Sequence, residues 1–237
     1  MARLGLVVDL IAVLREARQE RTPDPISVSI IAENAGADGI ICHLREDRRY
    51  IKDRDLFVLK EVVRSHLNVR MPGTTDMMRL ALKVLPDMVT IVPQKINDDG
   101  STSGLEIAGN EAFLSDIVEQ LHANNIIVAF SIEPDLEQVK AAARTGVDYL
   151  ELHTSTYSHA PDADEEESAV ENLRSMAMAG NKLGLGICAG HCLTYANIQQ
   201  VARMEQIEEL NIGHAIINRA LLVGLPQAIR DMIQLIK

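Results

Sequence analysis

The chain has 237 residues, 47% of them hydrophobic and 24% charged, and a formal net charge of −11. That length and apolar content suit one large α/β domain rather than two independent ones, and the acidic balance argues against a nucleic-acid partner, which calls for a basic face. The apolar start, Leu4 to Leu14, is broken by Asp9 and followed by Arg15, Glu16 and Arg18 rather than a cleavage site, and no uncharged run approaches the roughly 20 residues of a membrane span; a cytoplasmic protein without a membrane partner is expected.

Along the chain, short apolar runs alternate with longer amphipathic ones. The first strand signal is Leu4–Asp9, followed after a polar loop by the helix Pro25–Ala35. Gly39–Leu44 leads to the helix Asp53–Ser65, and Leu67–Met71 to the helix Thr75–Leu85. Met88–Pro93 passes through a long Gly/Ser-rich loop, residues 97–110, into the helix Phe113–Asn124. Ile127–Ile132, Tyr149–Thr154, Gly186–His191 and Glu209–His214 complete the strands. Their helices are Leu136–Thr145, Glu166–Leu183, Tyr195–Met204 and Ala215–Ile236.

Eight β-α units in one domain of this size predict an α/β fold of the closed (β/α)8 TIM-barrel type. A doubly wound open sheet would be favoured by a GxGxxG turn after the first strand, and that turn is absent. Without Trp, and with only Phe 3 and Tyr 4 as aromatics, the core must be aliphatic, as covered parallel strands require. Cys42, Cys188 and Cys192 form no CxxC pair and read as reduced thiols. Residues 35–43 and 145–153 echo each other in placing Gly, Asp and His, through either a repeat or the chemistry of tight αβ turns.

In such a barrel the chemistry sits at the C-terminal strand ends. Those ends carry Asp9, His43 with Arg45, Arg70, Gln94 with Lys95, Glu133, Glu151 with His153, His191 and His214. Several histidines on one rim are costly to desolvate without purpose. By strand parity, Glu151 can face His43 across the mouth, an arrangement suited to acid–base work. Gly190-His191 and Gly213-His214 end the last two units, where backbone N–H groups and a helix N-terminus favour a phosphate. His43, Glu151, His191 and His214 as metal ligands are the competing reading, disfavoured because the first strand has no HxH pair.

These residues resemble the pyridoxine 5'-phosphate synthase family over the full length. The likeness is carried by residues 43–49, by Glu151-Leu152-His153-Thr154, by Ala189-Gly190-His191, by Leu193-Thr194-Tyr195 and by residues 210–217. The resemblance implies condensation of 1-deoxy-D-xylulose 5-phosphate with 3-amino-2-oxopropyl phosphate in vitamin B6 biosynthesis, with no metal or organic cofactor. It implies a homo-oligomer, an octamer built from dimers. By position His43 is a general base, His191 a general acid and Glu151 a stabiliser of transition-state charge. Arg45 holds the deoxyxylulose phosphate; Arg18, Gly213 and His214 hold the amino-ketone phosphate; Asp9 contacts substrate.

Six positions depart from the family pattern. Val7 and Leu10 stand for an Asn and a His, Tyr50 for a His, Arg70 for a catalytic Glu, Gly100 for a Thr and Cys192 for a Gly. A guanidinium cannot accept a proton near neutral pH, so Arg70 either pairs with Glu151 or grips a phosphate. The alternative to the family reaction is an impaired or repurposed member that binds a phosphorylated ligand.

Overall fold

The computed structural model describes residues 2–94 and 103–237. Its strands are β1 (Arg3–Val7), β2 (Gly39–His43), β3 (Leu67–Met71), β4 (Met88–Ile91), β5 (Ile127–Ile132), β6 (Tyr149–His153), β7 (Gly186–Gly190) and β8 (Ile207–Ile212). They pair in parallel in chain order, and β8 returns to β1 with Arg3 opposite Glu209 and Leu6 opposite Ile212, closing a (β/α)8 barrel. The helices are α1 (Asp9–Ala17), α2 (Pro25–Ala35), α3 (Asp53–Val62), α4 (Thr75–Val84), α5 (Glu111–His122), α6 (Leu136–Ala143), α7 (Ser155–Ser158), α8 (Ala163–Lys182), α9 (Ile198–Ala202), α10 (His214–Val223) and α11 (Leu225–Ile236).

Strand parity divides the barrel into two chemistries. Leu4, Leu6, Ile40, Cys42, Leu67, Val69, Val128, Phe130, Leu150, Leu152, Leu210 and Ile212 join the helices in one aliphatic core. The alternate residues turn inward, as successive side chains on a strand must. There lie Asn68, Arg70, Thr90, Ser131, Glu151, His153, Glu209 and Asn211, all buried. All but Glu209 bond to one another: Thr90 donates to Asn68 at 2.9 Å, and Arg70 and Asn211 both donate to Glu151. Such lumens are usually filled by branched apolar residues; this one holds hydrogen-bonded polar groups beneath its mouth. Gly5 leaves the space they need, since a Cβ there would lie 2.3 Å from Asn211 Oδ1 and 2.4 Å from Ile41 Cδ1.

Two expectations are corrected at the mouth. The first strand stops at Val7, and Asp9 opens α1 rather than ending β1. The helix α1 was hidden because apolar residues run on from Leu4 with only Val8 between strand and helix. Buried Arg15 fastens α1 to α3 through Asp55, at 3.0 and 2.7 Å. The last strand likewise ends at Ile212, and His214 begins α10 with Gly213 as its N-cap. The single helix expected over Ala215–Ile236 is two helices, parted at Gly224, which adopts φ 80°.

The echo between residues 35–43 and 145–153 is turn chemistry at the barrel floor. Asp38 accepts from Leu4 N and donates its own N–H to Leu4 O; Asp148 does the same with Val128. Asp87 repeats the clamp on Leu67 in a unit that lacks the Gly-x-Asp pattern. Three Asp residues thus hold the first or second amide of three strands.

Also on this floor, Glu209 is 1% exposed, with Arg3 Nε at 3.6 Å and His66 Nδ1 at 3.8 Å. Burial raises its carboxyl from 4.5 to about 7, only partly opposed by Arg3. A raised folded-state value means that the folded chain holds the proton longer than the unfolded chain. The group's contribution is therefore full below about 4.5 and is lost as pH rises through about 7. Between those limits, urea unfolding of Glu209→Gln against wild type is expected to shift in the variant's favour by about 2–3 kcal/mol. A difference that does not change with pH would show that Glu209 titrates like a free carboxyl.

Candidate active site

Glu151 is the hub of the lumen. It is 1% exposed, and Oε2 accepts from Arg70 Nη2 at 2.6 Å and Asn211 Nδ2 at 2.8 Å. Its Oε1 lies 3.2 Å from His191 Nε2 and 3.4 Å from Ser131 Oγ. Burial alone would lift this carboxyl, but Arg70 and His191 outweigh it and hold Glu151 ionised, well below the usual carboxylate range. Of the two fates open to Arg70, the structure realises the pair with Glu151. Gly190 leaves room for the neighbouring Asn211, since a Cβ there would lie 3.1 Å from Asn211 O and 3.3 Å from its Cβ.

His191 sits on a turn in which it and Cys192 adopt φ 73° and 59°. Each left-handed residue costs roughly 1–2 kcal/mol, a strain that is typical of functional sites. The turn seats the His191 ring against His153, with centroids 3.8 Å apart. Burial lowers the His191 pKa, while the Glu151 contact favours the protonated ring. Behind it, His153 is held by Ser131 Oγ at 2.7 Å and Glu133 Oε1 at 3.0 Å. The His153 contact lowers the pKa of Glu133.

Above this layer opens a cavity of about 420 Å³ lined by Val7, Asp9, Leu10, Val13, His43, Arg45, Tyr50, Gly213 and His214. Asp9 Oδ1 accepts from the His43 N–H at 2.7 Å. Burial is the largest cause of the rise of Asp9 to about 6; the His43 amide and Arg70 act against it. The His43 ring is lowered to about 4, first by burial and then by Arg70 and Arg45. Glu151 bonds His191 rather than His43, because Arg70 takes its other oxygen on the β3 side.

The far wall offers an anion site. Gly213 caps α10 with no side-chain cap bond, so the first helical N–H groups point outward beside His214. Gly is needed there because a Cβ would lie 3.0 Å from both Val7 Cβ and Val7 O. Arg45 adds a guanidinium, bound to Asp47 at 3.0 and 2.8 Å and 5.7 Å from the Tyr50 ring centroid. That bond holds Asp47 down at about 2.

Nine of the sequence-predicted residues thus meet at the mouth: Val7, Asp9, Leu10, His43, Arg45, Tyr50, Gly213 and His214 line the cavity, and the ring of His191 reaches Glu151 below. Arg18 is not brought there; its side chain is 78% exposed and pairs with Glu20. Cys192 is exposed beyond the His191 turn, and Gln94 bonds Glu46 instead. Lys95 and Gly100 lie outside the described residues. Sequence reasoning missed Ser131 and Asn211, whose signal was a polar residue inside an apolar strand run.

Glu151, His153 and His191 offer ligand atoms within 4.8 Å of one another. They do not suit a dication. Each of those atoms is already bonded within the lumen, and the permanent charge of Arg70 sits 2.6 Å from the Glu151 carboxylate.

Known proteins resemble the chain along its whole length. Residues 4–237 match the family model described as pyridoxal phosphate biosynthesis protein PdxJ. The pyridoxine 5'-phosphate synthase of Geotalea uraniireducens is 46% identical over 237 residues, covering 100% of this chain and 99% of that one. The enzyme of that name from Synechocystis sp. is 46% identical over 233 residues, covering 98% and 96%. Among solved structures, phosphoribosylanthranilate isomerase from Thermotoga maritima superposes with a TM-score of 0.60 at 10% identity, covering 100% of this chain and 98% of its own. A 4-hydroxy-2-oxoglutarate aldolase gives 0.65 at 13% identity, covering 99% and 94%. These two share the barrel alone.

Proposed function

Because the chain belongs to the PdxJ family of pyridoxal phosphate biosynthesis proteins, we propose that it condenses 1-deoxy-D-xylulose 5-phosphate with 3-amino-2-oxopropyl phosphate to pyridoxine 5'-phosphate, phosphate and water. The observation that carries this reading is a single cavity in which an anion site, Arg45 with Gly213 and His214, adjoins Asp9, His43 and the Glu151–His191 pair. Arg45 holds the deoxyxylulose phosphate. The first amides of α10 and His214 hold the amino-ketone phosphate.

His191 is the proton donor. Its lowered pKa makes it a ready acid once protonated, and Glu151 favours that form. Glu151, ionised and fixed by several partners, stabilises positive charge as it develops on the condensing nitrogen, an effect that low-dielectric burial strengthens. Tyr50 supplies an apolar face where it lines the cavity. No metal or organic cofactor enters this scheme.

The chain acts as a homo-oligomer in the cytoplasm under this proposal. Leu221 and Leu222, 76% and 85% exposed at the end of α10, are apolar surface of the kind that a second copy covers. No helix among the described residues is long and apolar enough to cross a membrane.

Phosphate release tests the reaction. Inorganic phosphate is expected only when both substrates are present, in step with the pyridine product. Release from either substrate alone would mark a phosphatase or lyase instead.

A further inference from the structure

The geometry points to Asp9 as the general base of this site, with Oδ1 anchored on β2 by the His43 N–H and the residue lining the cavity. This rests on the reaction proposed above. Asp9 lies at the first position of α1, one residue past β1, and the His43 N–H at 2.7 Å fixes its orientation. Among the described residues, no other hydrogen bond engages the carboxylate. Its own side of the cavity is the apolar set Val7, Leu10 and Val13. The charged and titratable groups around it are Cys42 and His43 of β2, Arg45 and Tyr50 after it, Arg70 of β3 and His214 of α10.

Two imagined bases share the cavity, and their surroundings separate them. Burial lifts Asp9 to about 6, whereas burial, Arg70 and Arg45 press His43 down to about 4. At neutral pH both are unprotonated, but the carboxylate is the stronger acceptor and lies nearer the working pH. A cation at position 70 thus weakens the imidazole and leaves the acid–base task to the carboxylate beside it.

In the step proposed, Oδ2 takes a proton from the carbon next to the ketone carbonyl. The C–H electron pair becomes the C=C bond of an enolate, with the negative charge on the former carbonyl oxygen. Asp9 then yields the proton to solvent and is again a carboxylate.

Deuterium exchange tests this without requiring ring closure. Wild-type protein in D₂O with 1-deoxy-D-xylulose 5-phosphate, with and without the amino-ketone phosphate, is expected to label the carbon next to the carbonyl, read by NMR. The rate should fall on the acid side with a midpoint near pH 6. Asp9→Asn keeps an acceptor for the His43 amide and should lose about 10²–10⁴-fold in exchange, while His43→Ala should lose less. Exchange within tenfold of wild type in Asp9→Asn, a wild-type midpoint near 4, or no wild-type exchange would overturn the assignment. The midpoint is read on unmodified protein, so the test stands even if the variant misfolds. Wild-type exchange without pyridoxine 5'-phosphate would instead refute the overall reaction and leave Asp9 as the base.

Discussion

Arg70→Glu is expected to form pyridoxine 5'-phosphate about 10- to 100-fold faster than the wild-type chain while losing roughly 3–5 kcal/mol of stability. The gain has two sources. Burial is the main cause of the low pKa of His43, and removing the guanidinium lifts only the part that Arg70 adds, so the imidazole regains some basicity. The new carboxylate is itself a proton acceptor in the lumen. The loss arises because Glu151, 1% exposed, forfeits its 2.6 Å partner and gains a like charge. Two carboxylates in one buried site cannot both ionise cheaply, so one retains its proton and the variant weakens further as pH rises. The rate gain stays below the full effect of a general base because Val7 and Leu10 still offer no polar contact, and misplacement alone costs roughly 10²-fold. Adding Val7→Asn and Leu10→His should exceed the single change by more than additivity, since such groups act as a unit. Product assay and urea unfolding of the same preparations check both halves. A folded triple variant with no gain would show that Arg70 does not limit the reaction.

His191→Ala is expected to reduce kcat by about 10²–10⁴-fold with little change in KM. The ring spends two left-handed residues on its placement, touches Glu151 at 3.2 Å and packs at a tilt against His153. Its removal takes away the proton donor but leaves the anion site of Arg45, Gly213 and His214 intact. A matching rise in KM would make His191 a binding group, and unchanged kcat would remove it from the mechanism.

Much of this architecture is legible in the sequence, because barrel strands alternate with helices and each announces its own period. β3 and β5 fall where the apolar runs Leu67–Met71 and Ile127–Ile132 place them. His43 ends β2 and His191 follows β7, as their places in the apolar runs imply, whereas Glu151 lies mid-strand in β6 and bonds His191 from below. What escaped is set by contacts distant in the chain. The turn between β1 and α1 is marked locally only by Asp9, and one Val separates two apolar elements. The break at Gly224 was written as Gly before a Leu-Pro helix start, yet the apolar period continued across it. The ion pair of Arg70 with Glu151 joins residues 81 apart in sequence. Ser131 and Asn211 gain meaning only once the barrel closes and turns their faces inward.

Incubating purified wild-type protein with both phosphorylated substrates, and weighing the product by mass spectrometry, tests the account most directly. It predicts pyridoxine 5'-phosphate in amounts that require both substrates and that rise in Arg70→Glu. Folded wild-type protein that binds both phosphate esters yet yields none of that product would contradict it.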